Sequence, residues 1–325
     1  MSSHAESSFS TWSNVQDHHH PIRLDESISI GIAAYGNSET TRRCLEALFK
    51  SAEGDFELIL INDNSPDEGR TSNLYRWAKS IHKNTSIYES TQQNIEYSGS
   101  VDLVLSQARG DKIMFVSNDI FVTPYYLGAI LEASQSISNW GILRGSSNFV
   151  DNGLASHNIQ PGTSIESLDD IFAESQTIYA LYSTLHVTDP FLTGDAFVVN
   201  RDLINKIGVF DPLFYGYFAD HDYGLRSQIA GLEIILVPGA YAFHQAGINI
   251  SYLSQADQLN KTSERFARVY ENWARFKLKY GISVETPYTS MHDIEWQTLS
   301  SAPFNPDTHH ISPKSYESLR VPPNS

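Results

Sequence analysis

Cysteine and basic residues are both scarce in this 325-residue sequence. It contains one cysteine, Cys44, and 22 Lys and Arg residues against 38 Asp and Glu residues, for a net charge of −16. A single cysteine excludes a disulfide within the sequence, so nothing indicates an oxidising compartment. The acidic balance argues against nucleic-acid binding, which depends mainly on Lys and Arg, and against docking on an anionic membrane through a basic face.

Long apolar runs are also missing. No stretch approaches the roughly 18 consecutive apolar residues of a membrane span. The polar, Ser-rich start of the sequence lacks the apolar centre of a secretory signal. These absences predict a cytoplasmic protein without a transmembrane segment. Peripheral association with the inner membrane face stays open, and it would have to depend on apolar contacts or on a partner protein.

The two ends of the sequence differ in composition from its middle. Residues 1–26 are rich in Ser, His, Asp and Glu, which predicts a disordered N-terminal segment. Residues 285–325 hold six of the 13 prolines among Ser, Asn and His, which predicts an extended, loosely packed tail. Residues 27–284 therefore form the predicted folded domain.

Short apolar runs alternate with helical periodicity in the first half of this domain. Strands are predicted at residues 28–32, 58–61, 86–88 and 112–116, with an amphipathic helix between each pair. This βαβαβαβ order predicts an α/β fold with a largely parallel sheet and helices on both faces. Ligands bind beyond the carboxyl ends of the strands in such sheets.

Polar clusters follow three of the predicted strands, at residues 35–37, 62–64 and 117–119. No Gly-x-Gly-x-x-Gly or Gly-Lys-Ser/Thr loop is present, which removes the phosphate-binding turn of dinucleotide oxidoreductases and P-loop enzymes. Carboxylates beside a diphosphate require a divalent cation between them. Asp119 is a candidate ligand for that cation, although the residues alone favour equally a cap on the following helix.

Four short motifs and a late histidine follow one another in the second half. They read FLTGDAFVVNRD at 191–202, IGVFDPLF at 207–214, ADHDYGLR at 219–226, AGLEIILVP at 230–238, and His244. Taken with the strand-end clusters, their order and spacing resemble glycosyltransferase family 2, whose members are inverting enzymes with the GT-A fold. The resemblance covers residues 28–280 and is nearest to bacterial members that build cell-surface polysaccharide.

The resemblance implies a GT-A domain with a mixed, mostly parallel central sheet. Residues 27–122 would be its nucleotide-binding half and residues 123–284 its acceptor and catalytic half. The implied enzyme moves a sugar from a UDP-, dTDP- or GDP-linked donor to a hydroxyl of a saccharide, lipid-linked or protein acceptor. Synthesis of surface polysaccharide or of a glycoconjugate is the implied context.

The family pattern also implies which residues bind the donor nucleotide. Ala33 and Tyr35 would line the base pocket, and Asp63 would accept a hydrogen bond from a base N–H. Asn62 stands where the family has the first aspartate of a pair, and it can still form a hydrogen bond but brings no charge. These four positions form the predicted nucleotide site.

A divalent cation, Mn²⁺ or Mg²⁺, is the implied cofactor. Asp119 matches the aspartate that helps to bind it, and His244 matches the late histidine that completes the shell or contacts the diphosphate. Ser117 stands where the family has another acid. One carboxylate with diphosphate oxygens and water is an acceptable shell, because Mg²⁺ usually keeps several waters.

Asp220 is the predicted general base, because an inverting displacement needs one carboxylate to take the proton of the acceptor hydroxyl. Ala219 replaces the glutamate that precedes this aspartate in the family. Asp222 is predicted to orient the loop or to contact the acceptor, and Arg226 to pair with Asp222 if the segment is helical. An acid-rich helix N-terminus without catalytic function is the alternative interpretation.

Two further positions carry weaker predictions. Asp195 follows Thr-Gly and is predicted to contact the donor sugar or the acceptor. Tyr217 belongs to the aromatic run 214–218, for which an acceptor platform and ordinary core packing are both open.

Two other functions compete with the enzyme hypothesis. The changes at positions 62, 117 and 219 leave open a degenerate GT-A domain that binds a nucleotide sugar or carbohydrate without turnover. A sugar-1-phosphate nucleotidyltransferase should have a Gly-rich, basic loop after the first strand, which residues 33–38 lack.

Overall fold

The structure is a computed structural model that describes residues 20–151, 153–245 and 255–322. The disorder predicted for residues 1–19 lies outside the described residues. The strands are β1 (Ile22–Leu24), β2 (Ile28–Ala34), β3 (Ala52–Gly54), β4 (Glu57–Asp63), β5 (Thr85–Ser90), β6 (Lys112–Ser117), β7 (Ile120–Phe121), β8 (Trp140–Ser147), β9 (Val187–Thr188), β10 (Ala196–Asn200) and β11 (Glu233–His244). The helices are α1 (Ser38–Ser51), α2 (Arg70–Ile81), α3 (Glu96–Gln107), α4 (Pro124–Ser136), α5 (Leu168–Tyr182), α6 (Arg201–Ile207), α7 (Ala219–Ile229), α8 (Gln255–Tyr280), α9 (Trp296–Ser300) and α10 (Pro306–His309).

One mixed sheet organises the domain, in the order β5-β4-β2-β6-β10-β8-β11-β7. The first four strands are parallel, whereas β10 runs antiparallel to both of its neighbours. Strand β11 is again parallel to β8. This arrangement confirms the predicted α/β fold with a mixed, mostly parallel sheet of the GT-A type.

Helices cover both faces of the sheet, so its central strands are buried along their length. All seven residues of β4 are buried. Leu58 and Leu60 join one apolar layer, while Ile59 and Ile61 join the other, because successive side chains of a strand point to opposite faces. A continuous apolar run, rather than an alternating one, is therefore the expected sequence of such a strand.

Strand register brings the polar clusters to one edge. Ala33 pairs with Ser117 across β2 and β6, and Ala34 pairs with Asn62 across β2 and β4. The three predicted strand-end clusters therefore meet at the carboxyl edge of the sheet.

The structure corrects the prediction of disorder through residue 26. Ile22–Leu24 forms a strand that pairs in parallel with Ala52–Gly54. Both Ile22 and Leu24 are buried. The composition of residues 1–26 is mostly polar, so it does not indicate this short strand, which is ordered by its pairing with β3.

The C-terminal tail is also less loose than its composition suggests. Met291 and Trp296 are buried in the core. The Ile311 N–H donates to the Ile207 carbonyl at 3.0 Å, and the Val209 N–H donates back to the Ile311 carbonyl at 3.0 Å. Gly208 between them has φ +73°, and a Cβ at this position would strike the Ile311 carbonyl, so the glycine is required for this close approach.

None of the helices within the described ranges combines the length and apolar character that crossing a bilayer requires.

Candidate active site

Two adjoining cavities open at the carboxyl edge of the sheet. The first cavity, of about 630 Å³, lies over the ends of β2, β4 and β6. The second cavity, of about 430 Å³, lies between the end of β6 and the N-terminus of α7. Both are lined by Glu96, Tyr97, Ser117, Asp119, Tyr217, His244 and Arg265. The two cavities therefore form one cleft with a shared wall.

Three of the four predicted nucleotide residues line the first cavity, namely Ala33, Tyr35 and Asp63. Tyr35 lies at its mouth with 44% of its surface exposed. Asn62 lines neither cavity: its Nδ2 donates to Ser72 Oγ at 2.9 Å, and its Oδ1 accepts from the Ser65 N–H at 3.0 Å. Both ends of the Asn62 amide thus shape the loop in this structure, and its contact with the nucleotide stays a prediction.

Asp63 joins the end of β4 to the start of α3. Its two carboxylate oxygens accept the backbone N–H groups of Ile95 at 2.6 Å and Glu96 at 2.9 Å. Burial raises the pKa of Asp63 to about 6, although these two hydrogen bonds favour the charged form. The carboxylate thus holds α3 beside the first cavity while its remaining acceptor capacity faces the cleft.

Glu96 and two arginines were not predicted as site residues. Glu96 has φ +60°, a left-handed conformation that side chains seldom adopt. Its carboxylate pairs with Arg268 of α8, and Arg265 of the same helix pairs with Asp151. Because the two arginines are three residues apart on α8, they share one face of this helix, and this basic face lines the cleft.

The pair Asp119 and His244 lies in the wall that the two cavities share. His244 Nε2 is 3.4 Å from Asp119 Oδ2, and His244 Nδ1 is 2.8 Å from the Phe149 carbonyl oxygen. Because a carbonyl only accepts, Nδ1 carries the hydrogen, and in the neutral ring the Nε2 lone pair faces Asp119. Burial alone lowers the pKa of His244, but the hydrogen bond and charge of Asp119 outweigh it and raise this pKa.

This donor pair fits a hard or borderline divalent cation. Carboxylate oxygen and imidazole nitrogen both bind Mn²⁺, and a carboxylate is a common ligand of Mg²⁺. Within the ranges that the structure describes, no group of three or more His, Cys, Asp or Glu side chains is placed to hold a metal ion. Any cation at Asp119 and His244 would therefore need further oxygens from a diphosphate and water.

Asp220 and Asp195 line the second cavity. Asp220 lies in the first turn of α7, where its Oδ1 accepts the His221 backbone N–H at 2.9 Å and lies 3.0 Å from His221 Nδ1. Asp195 Oδ1 lies 3.2 Å from the Nη2 of Arg144, which is fully buried. Both carboxylates are thus oriented by neighbouring groups while facing the cleft.

Asp222 and Arg226 lie outside both cavities and form a buried ion pair. Arg226 Nε donates to Asp222 Oδ2 at 2.7 Å, and both side chains are fully buried, as the i, i+4 spacing predicts. Lys279 and the Tyr280 hydroxyl also donate to Asp222. Burial alone would raise the pKa of Asp222, but Arg226 and Lys279 hold it below its usual value. The burial of Asp222 argues against the acceptor contact and agrees with the orienting role, and both stay predictions.

The aromatic run 214–218 divides between core and cleft. Phe214 and Phe218 are buried in the core. Tyr217 lines both cavities, and Arg265 lies over its ring at 5.7 Å from the centroid. Core packing therefore accounts for Phe214 and Phe218, whereas an acceptor platform at Tyr217 stays a prediction.

A sequence profile described as glycosyl transferase family 2 matches residues 29–208. The chain belongs to this family. Membership supports its assignment as a glycosyltransferase, and the mixed sheet agrees with the GT-A fold. No curated protein matches the sequence.

Solved structures with the same fold include enzymes of several kinds. GalNAc-T7, solved with UDP, GalNAc and Mn²⁺, aligns with a TM-score of 0.51 and 14% identity over 67% of this chain and 43% of its own. Mannosyltransferase PcManGT from Pyrobaculum calidifontis, solved with GDP-Man and Mn²⁺, has a TM-score of 0.48 and 13% identity over 69% of this chain and 59% of its own. S. aureus TarS 1-349 has a TM-score of 0.48 and 14% identity over 81% of this chain and 76% of its own. At these identities the likeness to GalNAc-T7 supports the fold alone.

The family 2 domain departs from the usual family pattern around the cleft. Ser117, at the end of β6, lies in the shared wall without an acidic side chain. Ala219 is fully buried before Asp220. Glu96, also in the wall of the cleft, has a positive φ, a conformation that glycine adopts without strain.

Proposed function

We propose that this family 2 enzyme is an inverting glycosyltransferase that moves a sugar from a nucleoside-diphosphate donor to a hydroxyl acceptor. The observation that carries this proposal is the two-part cleft, in which the Asp119–His244 pair lies between the two cavities and Asp220 faces the second one. A nucleotide in the first cavity would direct its diphosphate toward that pair. The anomeric carbon would then lie on the side of Asp220.

Asp220 acts as the general base in the proposed reaction. Its carboxylate takes the proton of the acceptor hydroxyl while that oxygen forms a bond to the anomeric carbon. The bond from this carbon to the diphosphate oxygen breaks on the opposite face, and the nucleoside diphosphate leaves with the electron pair. His221 orients the carboxylate through its backbone N–H and ring.

Asp119 and His244 are the residues that would hold Mn²⁺ or Mg²⁺. When bound, the cation supplies electrostatic stabilisation of the charge that develops on the leaving diphosphate. Arg265 and Arg268 line the first cavity and would contact the same diphosphate by exchanging their ion pairs with Asp151 and Glu96. Support for a metal also comes from GalNAc-T7, which was solved with Mn²⁺.

The donor is proposed to be a UDP-, dTDP- or GDP-linked sugar. The UDP in the GalNAc-T7 structure supports the nucleoside-diphosphate class. A thermal-shift screen of these donors, with and without Mn²⁺, identifies the base and sugar, because a ligand that binds only the native state raises the melting temperature.

The acceptor is proposed to be a saccharide, a lipid-linked sugar or a protein hydroxyl in surface polysaccharide or glycoconjugate synthesis.

Replacement of the base tests the proposed reaction. Asp220→Asn should lower nucleoside-diphosphate release about 10²–10⁴-fold, the usual contribution of a general base, while the affinity for the donor stays the same. Asp202→Asn is the matched control, since Asp202 is an exposed acid in the first turn of α6, and it should keep full activity. Equal release by Asp220→Asn and the native enzyme would contradict the assignment. Donor binding without any release by the native protein would instead favour the non-catalytic alternative.

A further inference from the structure

Tyr97 is a cleft residue that the proposed reaction does not yet use. Its ring is held on α3 by edge contacts to Phe115 at 5.7 Å and Phe210 at 6.1 Å. Its hydroxyl is buried and has no hydrogen-bond partner among the described residues. The ring position is therefore fixed by packing that a phenylalanine would also provide, and the hydroxyl is the feature that needs an explanation.

The Tyr97 hydroxyl lies against Gly194, beside the proposed base. A Cβ at Gly194 would collide with this hydroxyl and would lie 3.2 Å from Asp220 Oδ2. Because glycine has no Cβ, the Tyr97 hydroxyl and the Asp220 carboxylate can both approach residue 194. Tyr97 lines both cavities, so this convergence lies at their junction.

The phenol remains a neutral hydrogen-bond donor at this position. Burial, followed by the negative charges of Asp220 and Asp195, raises the pKa of Tyr97 well above its usual value. A buried donor that forms no hydrogen bond costs roughly 1–3 kcal/mol. That cost is recovered when a ligand oxygen enters the junction and accepts the hydrogen bond.

We propose that the Tyr97 hydroxyl donates a hydrogen bond to a ring hydroxyl of the donor sugar and so selects sugars that carry this hydroxyl. The inference rests on the proposed function. The donor sugar is the ligand in question because it follows the diphosphate, and the Asp119–His244 pair lies in the same shared wall as Tyr97. A site that pairs a ligand hydroxyl discriminates strongly against an analogue that lacks it, since its own polar group is then left unpaired.

Tyr97→Phe tests this inference by removing one oxygen. The probes are the UDP-, dTDP- or GDP-sugar that gives the largest thermal shift and the matching nucleoside diphosphate without sugar. The variant should bind the nucleoside diphosphate as the native protein does, but should bind the nucleotide sugar about 5–100-fold more weakly, as expected for one lost hydrogen bond. Discrimination against a deoxy analogue of the donor sugar should fall by the same factor.

Protein stability separates ligand recognition from a structural role. Because the variant loses an unpaired buried hydroxyl, it should be at least as stable as the native protein in urea denaturation. Tyr241→Phe is the matched control: the Tyr241 hydroxyl is also buried and has no partner in the part of the chain that the structure describes, but Tyr241 lines neither cavity. This control should leave the affinity for the nucleotide sugar unchanged.

Two results would overturn the inference and are distinguishable. If the native protein binds and turns over a nucleotide sugar and Tyr97→Phe binds it equally well, the inference is wrong and the proposed function stands. If the native protein neither binds nor turns over any of the donors, both the proposed function and the inference fail.

Discussion

Asp220 and Asp222 lie two residues apart in the same helical turn and occupy opposite environments. Asp220 faces the second cavity, whereas Asp222 is fully buried and accepts hydrogen bonds from Arg226, Lys279 and Tyr280. The sequence places both carboxylates in one acidic motif. Their separation into a proposed base and a structural anion follows from the direction in which α7 presents each side chain.

Asp222→Asn should therefore affect stability much more than Asp220→Asn. Removing one partner of a buried ion pair leaves the other charge uncompensated, and the expected loss is about 3–5 kcal/mol in the free energy of unfolding. Urea denaturation measures this difference, with Asp220→Asn as the internal control that should stay close to the native value. Native stability in Asp222→Asn, together with weaker acceptor binding, would instead support the acceptor contact that its burial argues against.

Helix α3 is the element that connects the two cavities of the cleft, and it would thereby connect the proposed nucleotide site to the proposed sugar site. Asp63 binds its first N–H groups, Glu96 pairs with Arg268, and Tyr97 reaches the cavity junction. Helix α8 supplies the arginines that face this element. Neither helix carries one of the sequence motifs named above. The wall of the cleft that they form therefore depends on how α3 and α8 pack together.

Asp63→Asn should weaken both this helix start and donor binding. The amide keeps one acceptor oxygen in place of two, which should lower stability by about 1 kcal/mol, as for the loss of an N-cap, and should reduce nucleoside-diphosphate affinity. Asp67→Asn is the matched control, because Asp67 similarly accepts from the Thr71 N–H and hydroxyl of α2 but does not line the cleft. Titration with the nucleoside diphosphate should give native affinity for the control alone. Equal affinities for both variants would show that Asp63 acts only as a helix cap.

At the scale of the whole molecule, the C-terminal tail joins the two halves of the domain. The Val321 N–H donates to the Ile87 carbonyl at 2.9 Å, and the Ile311 segment bonds to the backbone on both sides of Gly208. Arg226 Nη1 also donates to the His309 carbonyl at 3.2 Å. The tail thus stabilises the region around α7, and a domain boundary at residue 284 stays a prediction. The cytoplasmic location also stays a prediction.

The buried carboxyl group of Asp102 makes the stability of the folded domain depend on pH. Burial raises its pKa to about 7, against hydrogen bonds from the Phe210 N–H and Tyr316 and the charges of Lys314 and Arg226. The pKa of Asp102 in the folded protein therefore lies above its unfolded value of 3.8. The contribution of Asp102 to the free energy of unfolding is fully present below the unfolded pKa and is lost as pH rises through the folded pKa.

The free energy of unfolding of the native protein, relative to Asp102→Asn, should therefore fall as pH rises from 4 to about 7 and then level off. Urea denaturation across this range measures the difference. Asp111→Asn, at an exposed site, is the control and should follow the native trend. A difference that grows with rising pH would contradict the assigned direction.

The sequence by itself determined the α/β class, the parallel first half of the sheet and the carboxylates at its edge. These features follow from apolar runs, periodicity and short motifs, all of which are local. The order at the two chain ends was not predicted, because Ile22–Leu24 and Ile311 find their partners in segments far away in sequence. Only the tertiary structure brought Tyr97 to Gly194 and Asp220, and joined Glu96 to Arg268 across 172 positions. Such contacts leave no local pattern, since they arise from packing between helices and strands that the chain connects only over long distances.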